Sequence, residues 1–162
     1  MNRQSIRISS PVGFLQITGV EYHLQSIKFI EETTPESSIP ETGLLGSVVN
    51  QLQMYFKGTL TKFQYPELPP GTIFQREVWN VISEIPYGET SSYVSIARKL
   101  GDMKKARAVG SAVGANPYLI LIPCHRAISS DGRLTGYAGG IKRKRWLLQH
   151  ENRILTGQQM LF

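Results

Sequence analysis

The stretch Leu119-Ile120-Leu121-Ile122-Pro123-Cys124-His125-Arg126 decides how this chain is read. Four apolar residues, two of them β-branched, predict a short buried strand, and its polar end presents Cys124, the only cysteine of the chain, at the edge of a core. A lone buried cysteine is commonly inert packing. Pro-Cys-His-Arg at a strand end is poorly explained that way, so Cys124 is taken as a nucleophile. A free thiol is only about 3% thiolate at pH 7, so a nucleophile needs a partner that takes or screens its proton. His125 is adjacent, but strand neighbours point to opposite faces, so a bent backbone or a bridging water is required. The group that orients the imidazole is sought in Trp146-Leu147-Leu148-Gln149-His150-Glu151, where Glu151 could accept the His125 N–H.

Downstream of the nucleophile, Ala127 to Gly140 reads as a loop ending in Thr135-Gly136-Tyr137-Ala138-Gly139-Gly140. Three glycines around a tyrosine predict a mobile segment with an aromatic wall, suited to closing over a flat ligand. The run Lys142 to Arg145 reads as a solvated or phosphate-facing basic patch. Upstream, Ser91 or Ser92 caps a helix whose Val94, Ile96, Ala97 and Leu100 face inward; Gly101 turns the chain, and a second helix runs from Lys104 to about Ala115. Helix, glycine turn and basic helix form a helix-turn-helix pattern. Ala106, Ala108, Gly110, Ser111, Ala112, Gly114 and Ala115 are all small, which permits close approach to a grooved partner or tight packing on a neighbouring helix. Thr72 and Gln75 have capping-box spacing, and Phe74, Val78, Trp79, Ile82 and Ile85 form the buried stripe of the helix they open.

Pro66, Pro69 and Pro70 mark the domain boundary, giving domains 1–70 and 71–162. Before it, Ser5–Ser9, Phe14–Thr18 and His23–Ile30 predict a β-meander, Glu31–Pro40 an exposed acidic loop, and Glu41–Lys57 an amphipathic helix stopped by Gly58. This half reads as scaffold. Residues 1–71 carry five Lys/Arg against six Asp/Glu, and residues 72–162 thirteen against six, so the +6 net charge belongs to the half with Cys124. That asymmetry points to a polyanion, nucleic acid before membrane. With 41% hydrophobic residues the 162-residue chain can build a core. No apolar run approaches the roughly 20 residues of a membrane span, and the N-terminus lacks a signal-peptide layout, so a cytoplasmic protein is expected. One cysteine and the scattered His23, His125 and His150 give no disulfide and no zinc-ligand spacing, so no metal and no cofactor is expected.

From Gly71 to Glu151 the chain resembles the O6-alkylguanine-DNA alkyltransferases, or methylated-DNA–protein-cysteine methyltransferases. The motifs are Pro86-Tyr87-Gly88-Glu89, Ser92-Tyr93, Arg107-Ala108-Val109-Gly110, Asn116-Pro117, Ile122-Pro123-Cys124-His125-Arg126, Gly136-Tyr137-Ala138-Gly139-Gly140 and Trp146-Leu147-Leu148-Gln149-His150-Glu151, in family order. The resemblance implies an α/β (α+β) fold: a ribonuclease-H-like sheet-and-helix domain, then a mostly helical winged-helix, helix-turn-helix domain. It implies DNA repair by irreversible, single-turnover transfer of an alkyl group from O6-alkylguanine to Cys124, with nucleotide flipping, and leaves O4-alkylthymine open.

By the same resemblance, His125 acts through a water and is oriented by Glu151, Asn116 is a hinge, and Tyr93 assists proton transfer to the leaving guanine. Tyr137 packs on the base, backbone at Ala127 and Ala138 contacts its edge, and Val113, with Leu134 and Ala138, sets pocket breadth. Arg107 is the finger that fills the flipped nucleotide's place, and Ala106 and Ser130 also contact DNA. The partner is double-stranded DNA held through its minor groove, the protein is a monomer, and no membrane is involved. Family members with zinc use additional N-terminal cysteines, which this chain lacks, and nothing here is long enough for the fused regulatory domain of others. Two rivals are a non-enzymatic lesion sensor of the alkyltransferase-like kind, which Cys124 argues against, and a cysteine hydrolase, for which no oxyanion motif is recognisable.

Overall fold

The computed structural model describes residues 2–31 and 36–157 and divides into two compact units, one of residues 1–69 with 117–121, the other of residues 70–116 with 122–162. In the first, β1 (Arg3–Ile8), β2 (Phe14–Val20) and β3 (His23–Ile30) form an antiparallel meander in that order. Its register lines Ile6, Ile17 and Ile27 in one row across the sheet, and all three are buried. Alternation along β1 and β2 puts Ile8 and Leu15 into the same core, and a bulge that skips Gln25 opposite Thr18 and Gly19 brings Leu24 of β3 to the same face. Helix α1 (Gly43–Lys57) covers it with Leu45, Val48, Val49, Leu52 and Tyr55, a 3.6-residue stripe, and ends at Gly58, whose φ of 81° closes the C-cap. Of the expected Glu31–Pro40 loop, residues 32–35 lie outside the described residues; past them, Ser37 exchanges two hydrogen bonds with Arg7 of β1.

Pro117–Leu121 belongs to this unit. The Ile27 amide donates to Pro117 O (2.8 Å), the Leu119 amide to Ile27 O (3.3 Å), and the Tyr118 hydroxyl to Leu24 O (2.6 Å). The strand expected over residues 119–122 does not form. A single parallel bridge at Tyr118 is all the pairing β3 provides, because Ile120 adopts a φ of 75° and turns the chain away. A buried β-branched residue in the left-handed region is costly. The surrounding packing imposes that bend.

In the second unit, α2 (Ile73–Ser83) begins with a complete capping box: the Gln75 amide donates to Thr72 Oγ1 (3.1 Å) and the Thr72 amide to Gln75 Oε1 (2.9 Å). Its buried Trp79 donates from Nε1 to Ala112 O (2.9 Å), fixing α2 against α4 (Ala106–Gly114). Between them, β4 (Ser91–Ser92) leads into α3 (Tyr93–Lys99), where Ser92 Oγ accepts from the Ser95 amide. Gly101, at φ 98°, turns α3 toward a 3₁₀ turn, Met103–Lys105, that Asp102 caps and α4 continues. Val109, Ala112 and Val113 bury one face of α4. On the other, a Cβ placed on Gly110 or Gly114 would meet nothing within 4 Å, so these glycines do not serve tight helix packing. After a 3₁₀ turn, Cys124–Arg126, strand β5 (Ala127–Ile128) pairs in parallel with β4, and α5 (Ile141–Thr156) completes the unit. The architecture is mixed: a small sheet with one helix, then a helical domain. Among the described residues no helix is long and apolar enough to cross a membrane.

Candidate active site

Cys124, His125 and Arg126 form one 3₁₀ turn, closed by the Arg126 amide donating to Pro123 O (2.9 Å). With three residues per turn, successive side chains diverge by about 120°, so all three can be buried on different sides. The opposite-face argument for a strand therefore does not apply to Cys124 and His125. Asn116 holds the turn from behind: its Nδ2 donates to Ile122 O (2.9 Å) and lies 3.1 Å from Cys124 Sγ.

The Glu151 carboxylate, fully buried on α5, collects three groups. Oε2 lies 2.5 Å from His125 Nε2, while Oε1 accepts from Arg126 Nε (2.8 Å) and from the Gly88 amide (3.2 Å). Arg126 also donates from a terminal nitrogen to Ile85 O (2.7 Å) and lies 5.6 Å over the Tyr87 ring. Burial alone would raise the Glu151 pKa; its interaction with His125, then the charge and hydrogen bond of Arg126, outweigh it and hold the carboxyl well below the usual range. Burial lowers His125, with Glu151 pulling the other way. A neutral imidazole beside a carboxylate carries its proton on Nε2, leaving Nδ1 an acceptor. Nδ1 is buried and has no hydrogen-bond partner among the described residues.

Burial pushes the Cys124 thiol up to about 11, against the lowering pull of the Asn116 hydrogen bond and the Lys144 charge. The resting site is thus a thiol beside a neutral imidazole, in a frame of fixed charges. Tyr137 is 93% buried, since only 7% of its surface is exposed, and its ring stands edge-on to His125 at 6.5 Å between centroids. Burial raises its hydroxyl well above the ordinary tyrosine value, as it does more mildly for Tyr93, whose Oη donates to Thr135 O (3.0 Å).

The remaining residues singled out in the sequence are spread more widely. Val113 and Ala127 are buried; Ala138, Ser130 and Arg107 are exposed, and Ala106 is half-buried. The loop after Ala127 carries more structure than a plain glycine loop. It starts as β5, makes a turn closed by Ser129 and Arg133, and anchors Tyr137 in the core. The basic run Lys142–Arg145 is not uniformly solvated either: Lys144 is fully buried, bonding Ala127 O and Thr135 O. Arg126 and Lys144 were missed as parts of the site. The signal existed for Lys144, because Lys144, Leu147, Leu148 and Glu151 fall at i, i+3, i+4 and i+7 on one face of α5.

The second unit is a helical domain with a buried cysteine, histidine and glutamate at its centre, and comparison with known proteins places it. The family profile described as 6-O-methylguanine DNA methyltransferase, DNA binding domain, matches residues 73–153, and that of the same family's ribonuclease-like domain matches residues 6–69. The chain is 44% identical over 158 residues to the methylated-DNA–protein-cysteine methyltransferase of Mycobacterium bovis, covering 96% of each. The crystal structure of the Mycobacterium tuberculosis O6-methylguanine methyltransferase matches with 42% identity over 93% of both chains and a TM-score of 0.81. That of Mycobacterium tuberculosis OGT in complex with DNA matches with 43% identity over 95% of this chain and 94% of the other, also at 0.81. The chain belongs to the methylated-DNA–protein-cysteine methyltransferase family.

A carboxylate held below its unfolded pKa contributes stability above that value and loses it as pH falls through the folded one. Glu151→Gln, which breaks a buried ion pair, is expected to destabilise the protein by about 3 kcal/mol at pH 7. In urea melts the gap from wild type should narrow below about pH 4.5, the unfolded value; an equal gap at pH 7 and pH 3 would contradict an ionised Glu151.

Proposed function

We propose that this protein repairs DNA by moving the alkyl group of O6-alkylguanine onto Cys124 Sγ, each molecule reacting once. The observation that carries this reading is the Cys124–His125–Glu151 arrangement, buried in a domain of DNA-binding type. The Cys124 proton passes to His125 Nδ1, through a water as the family resemblance implies, and Glu151 accepts the Nε2–H and stabilises the imidazolium. The thiolate attacks the alkyl carbon, a C–S bond forms, the C–O6 bond breaks, and its electron pair leaves with guanine. Tyr93 gives that base a proton. A thiol with a pKa of about 11 is ionised in about one molecule in ten thousand at pH 7, a penalty on the order of 5 kcal/mol, so proton removal is part of the reaction barrier. The product thioether is not cleaved by water, and no second thiol exists to displace it.

A lesion inside a duplex cannot reach a buried sulfur, so the nucleotide must leave the stack at a cost of a few kcal/mol. Arg107, exposed on α4, is assigned to the vacated space, with Ala106 and Ser130 as further DNA contacts. Tyr137, Val113, Ala127 and Ala138 are assigned to the pocket, and Asn116 to holding the sulfur. The open face of α4 at Gly110 and Gly114 supports close docking in the minor groove by a monomer. In this division of labour residues 1–70 are scaffold and 71–162 bind DNA and accept the alkyl group.

Incubated with an oligonucleotide duplex containing O6-methylguanine, the intact protein is expected to gain the mass of one methyl group at Cys124, with one lesion repaired per molecule; multiple turnovers or an unmodified protein would sink the reading. Cys124→Ser should retain DNA binding without transfer. Arg107→Ala is expected to slow reaction with duplex by roughly tenfold or more, in line with the energy of unstacking, yet react normally with free O6-benzylguanine; equal losses on both substrates would remove Arg107 from the flipping step. Gly110→Ala should stabilise α4 by about 1 kcal/mol and weaken duplex binding, and unchanged affinity would refute close docking of that face.

A further inference from the structure

Helix α5 buries Lys144, Leu147, Leu148 and Glu151 on one face. Three and four residues on, Ile154 and Leu155 continue that face, but the core has ended there and they are 42% and 59% exposed. Among the described residues they are the one adjacent pair of exposed large hydrophobics, the others standing singly. Leu155 borders Gly88, where an added Cβ would come within 2.6 Å of its Cδ2, so the side chain rests on the fold while most of its surface stays open. Gly157, at φ 72°, closes the helix with its amide donating to Arg153 O (2.8 Å).

The sequence beyond this cap, Gln158-Gln159-Met160-Leu161-Phe162, lies outside the described residues, and its composition matches the exposed pair. From Ile154 to Phe162 five of nine residues are large and apolar and none is charged, although this half of the chain carries the net positive charge. A stretch without Lys or Arg releases no counterions from phosphates, so its occupant is not the DNA backbone. Gln158 offers an amide with two donors and an acceptor, and Met160, Leu161 and Phe162 offer three consecutive apolar anchors. The complement to such a peptide is an apolar cleft with a polar group at its rim.

We infer that the end of α5 and the sequence after it, Ile154 to Phe162, form a docking element for a protein partner, a ring-shaped clamp that encircles duplex DNA, with Leu161 and Phe162 as the anchors in its apolar cleft. A glutamine three residues ahead of a Leu-Phe pair, as in Gln158 to Phe162, is the form of peptide that such rings take up. A partner carried on DNA is chosen because the same unit matches a DNA binding domain. A weak peptide contact tied to a domain that holds the same duplex becomes intramolecular, and the avidity exceeds either affinity alone. This surface lies beyond the transfer chemistry and does not depend on it.

The test is calorimetric titration of the full chain, free of DNA, with the purified replication clamp of the same organism. A saturable complex is expected whose affinity is nearly constant between about 50 and 200 mM salt, the range over which phosphate binding falls steeply. Leu161→Ala with Phe162→Ala should weaken it roughly thirtyfold, the scale of losing the anchors of an interface, and Ile154→Ser should weaken it by about fivefold, as a partly exposed apolar side chain does. Both variants should transfer methyl from a short duplex at the wild-type rate. No complex, a complex dissolved by salt, or an affinity unchanged in either variant would overturn the inference. A self-associated chain that the substitutions return to monomer would overturn it as well, by giving the face to a second copy, and so would variants that lose methyl transfer, by making the segment part of the fold. The two proposals fail separately: a wild type without a methyl adduct removes alkyl transfer and leaves docking standing, whereas a chain that repairs and binds no clamp removes docking alone.

Discussion

The carboxylate of Glu151 is the constraint on which the rest of the site depends. It is fully buried, and a bare carboxylate there would take a proton rather than stay ionised. It stays ionised because three donors from two segments converge on it: His125 and Arg126 from the turn, and the Gly88 amide from the loop after α2. Arg126 is itself held by Ile85 O and the Tyr87 ring. An ionised Glu151 requires the proton on His125 Nε2, which leaves Nδ1 as the acceptor. The tautomer of the base is therefore decided by a residue on α5, outside the Cys124–Arg126 turn.

The fixed charges around the sulfur do not cancel. Glu151 contributes one negative charge, while Arg126 and, at neutral pH, Lys144 contribute two positive ones, and both Cys124 and His125 rest neutral. The site carries its positive charge before the reaction, and moving the Cys124 proton to His125 leaves the net charge unchanged while a thiolate forms among positive groups. That is electrostatic preorganisation. The thiol rests high, near 11, because burial suppresses the thiolate, while the Asn116 hydrogen bond and the Lys144 charge pull the other way.

Much of the scaffold was legible because its signals are local. The Thr72–Gln75 capping box, the Gly58 stop and the Gly101 turn each depend on residues a few positions apart, and the structure contains all three. The site also stood out, because Pro-Cys-His-Arg has few packing explanations. The geometry of residues 119–124 was not legible. An apolar run with β-branched residues is what a strand looks like, but whether it pairs depends on β3, about ninety residues earlier, which offers Tyr118 a single bridge. Lys144 was hidden differently: the composition of Lys142–Arg145 reads as a surface patch, and only position along α5, in register with Leu147, Leu148 and Glu151, puts it inside. Composition sets the charge of a segment; helical phase sets which charge is buried.

The bend at Ile120 joins these points. Had residues 119–122 continued as a strand, Cys124 and His125 would face opposite sides, and a carboxylate could orient the imidazole only on the side away from the sulfur. The left-handed Ile120 ends the extended run, and the chain coils into a 3₁₀ turn that keeps thiol, imidazole and guanidinium all inside one unit. Asn116 then stabilises this irregular backbone by bonding Ile122 O while reaching the sulfur with the same amide nitrogen. Backbone strain at a β-branched residue and a buried, unactivated thiol are both unfavourable for stability taken alone. Together they place the thiol where solvent and stray electrophiles reach it poorly, which suits the single use proposed for it.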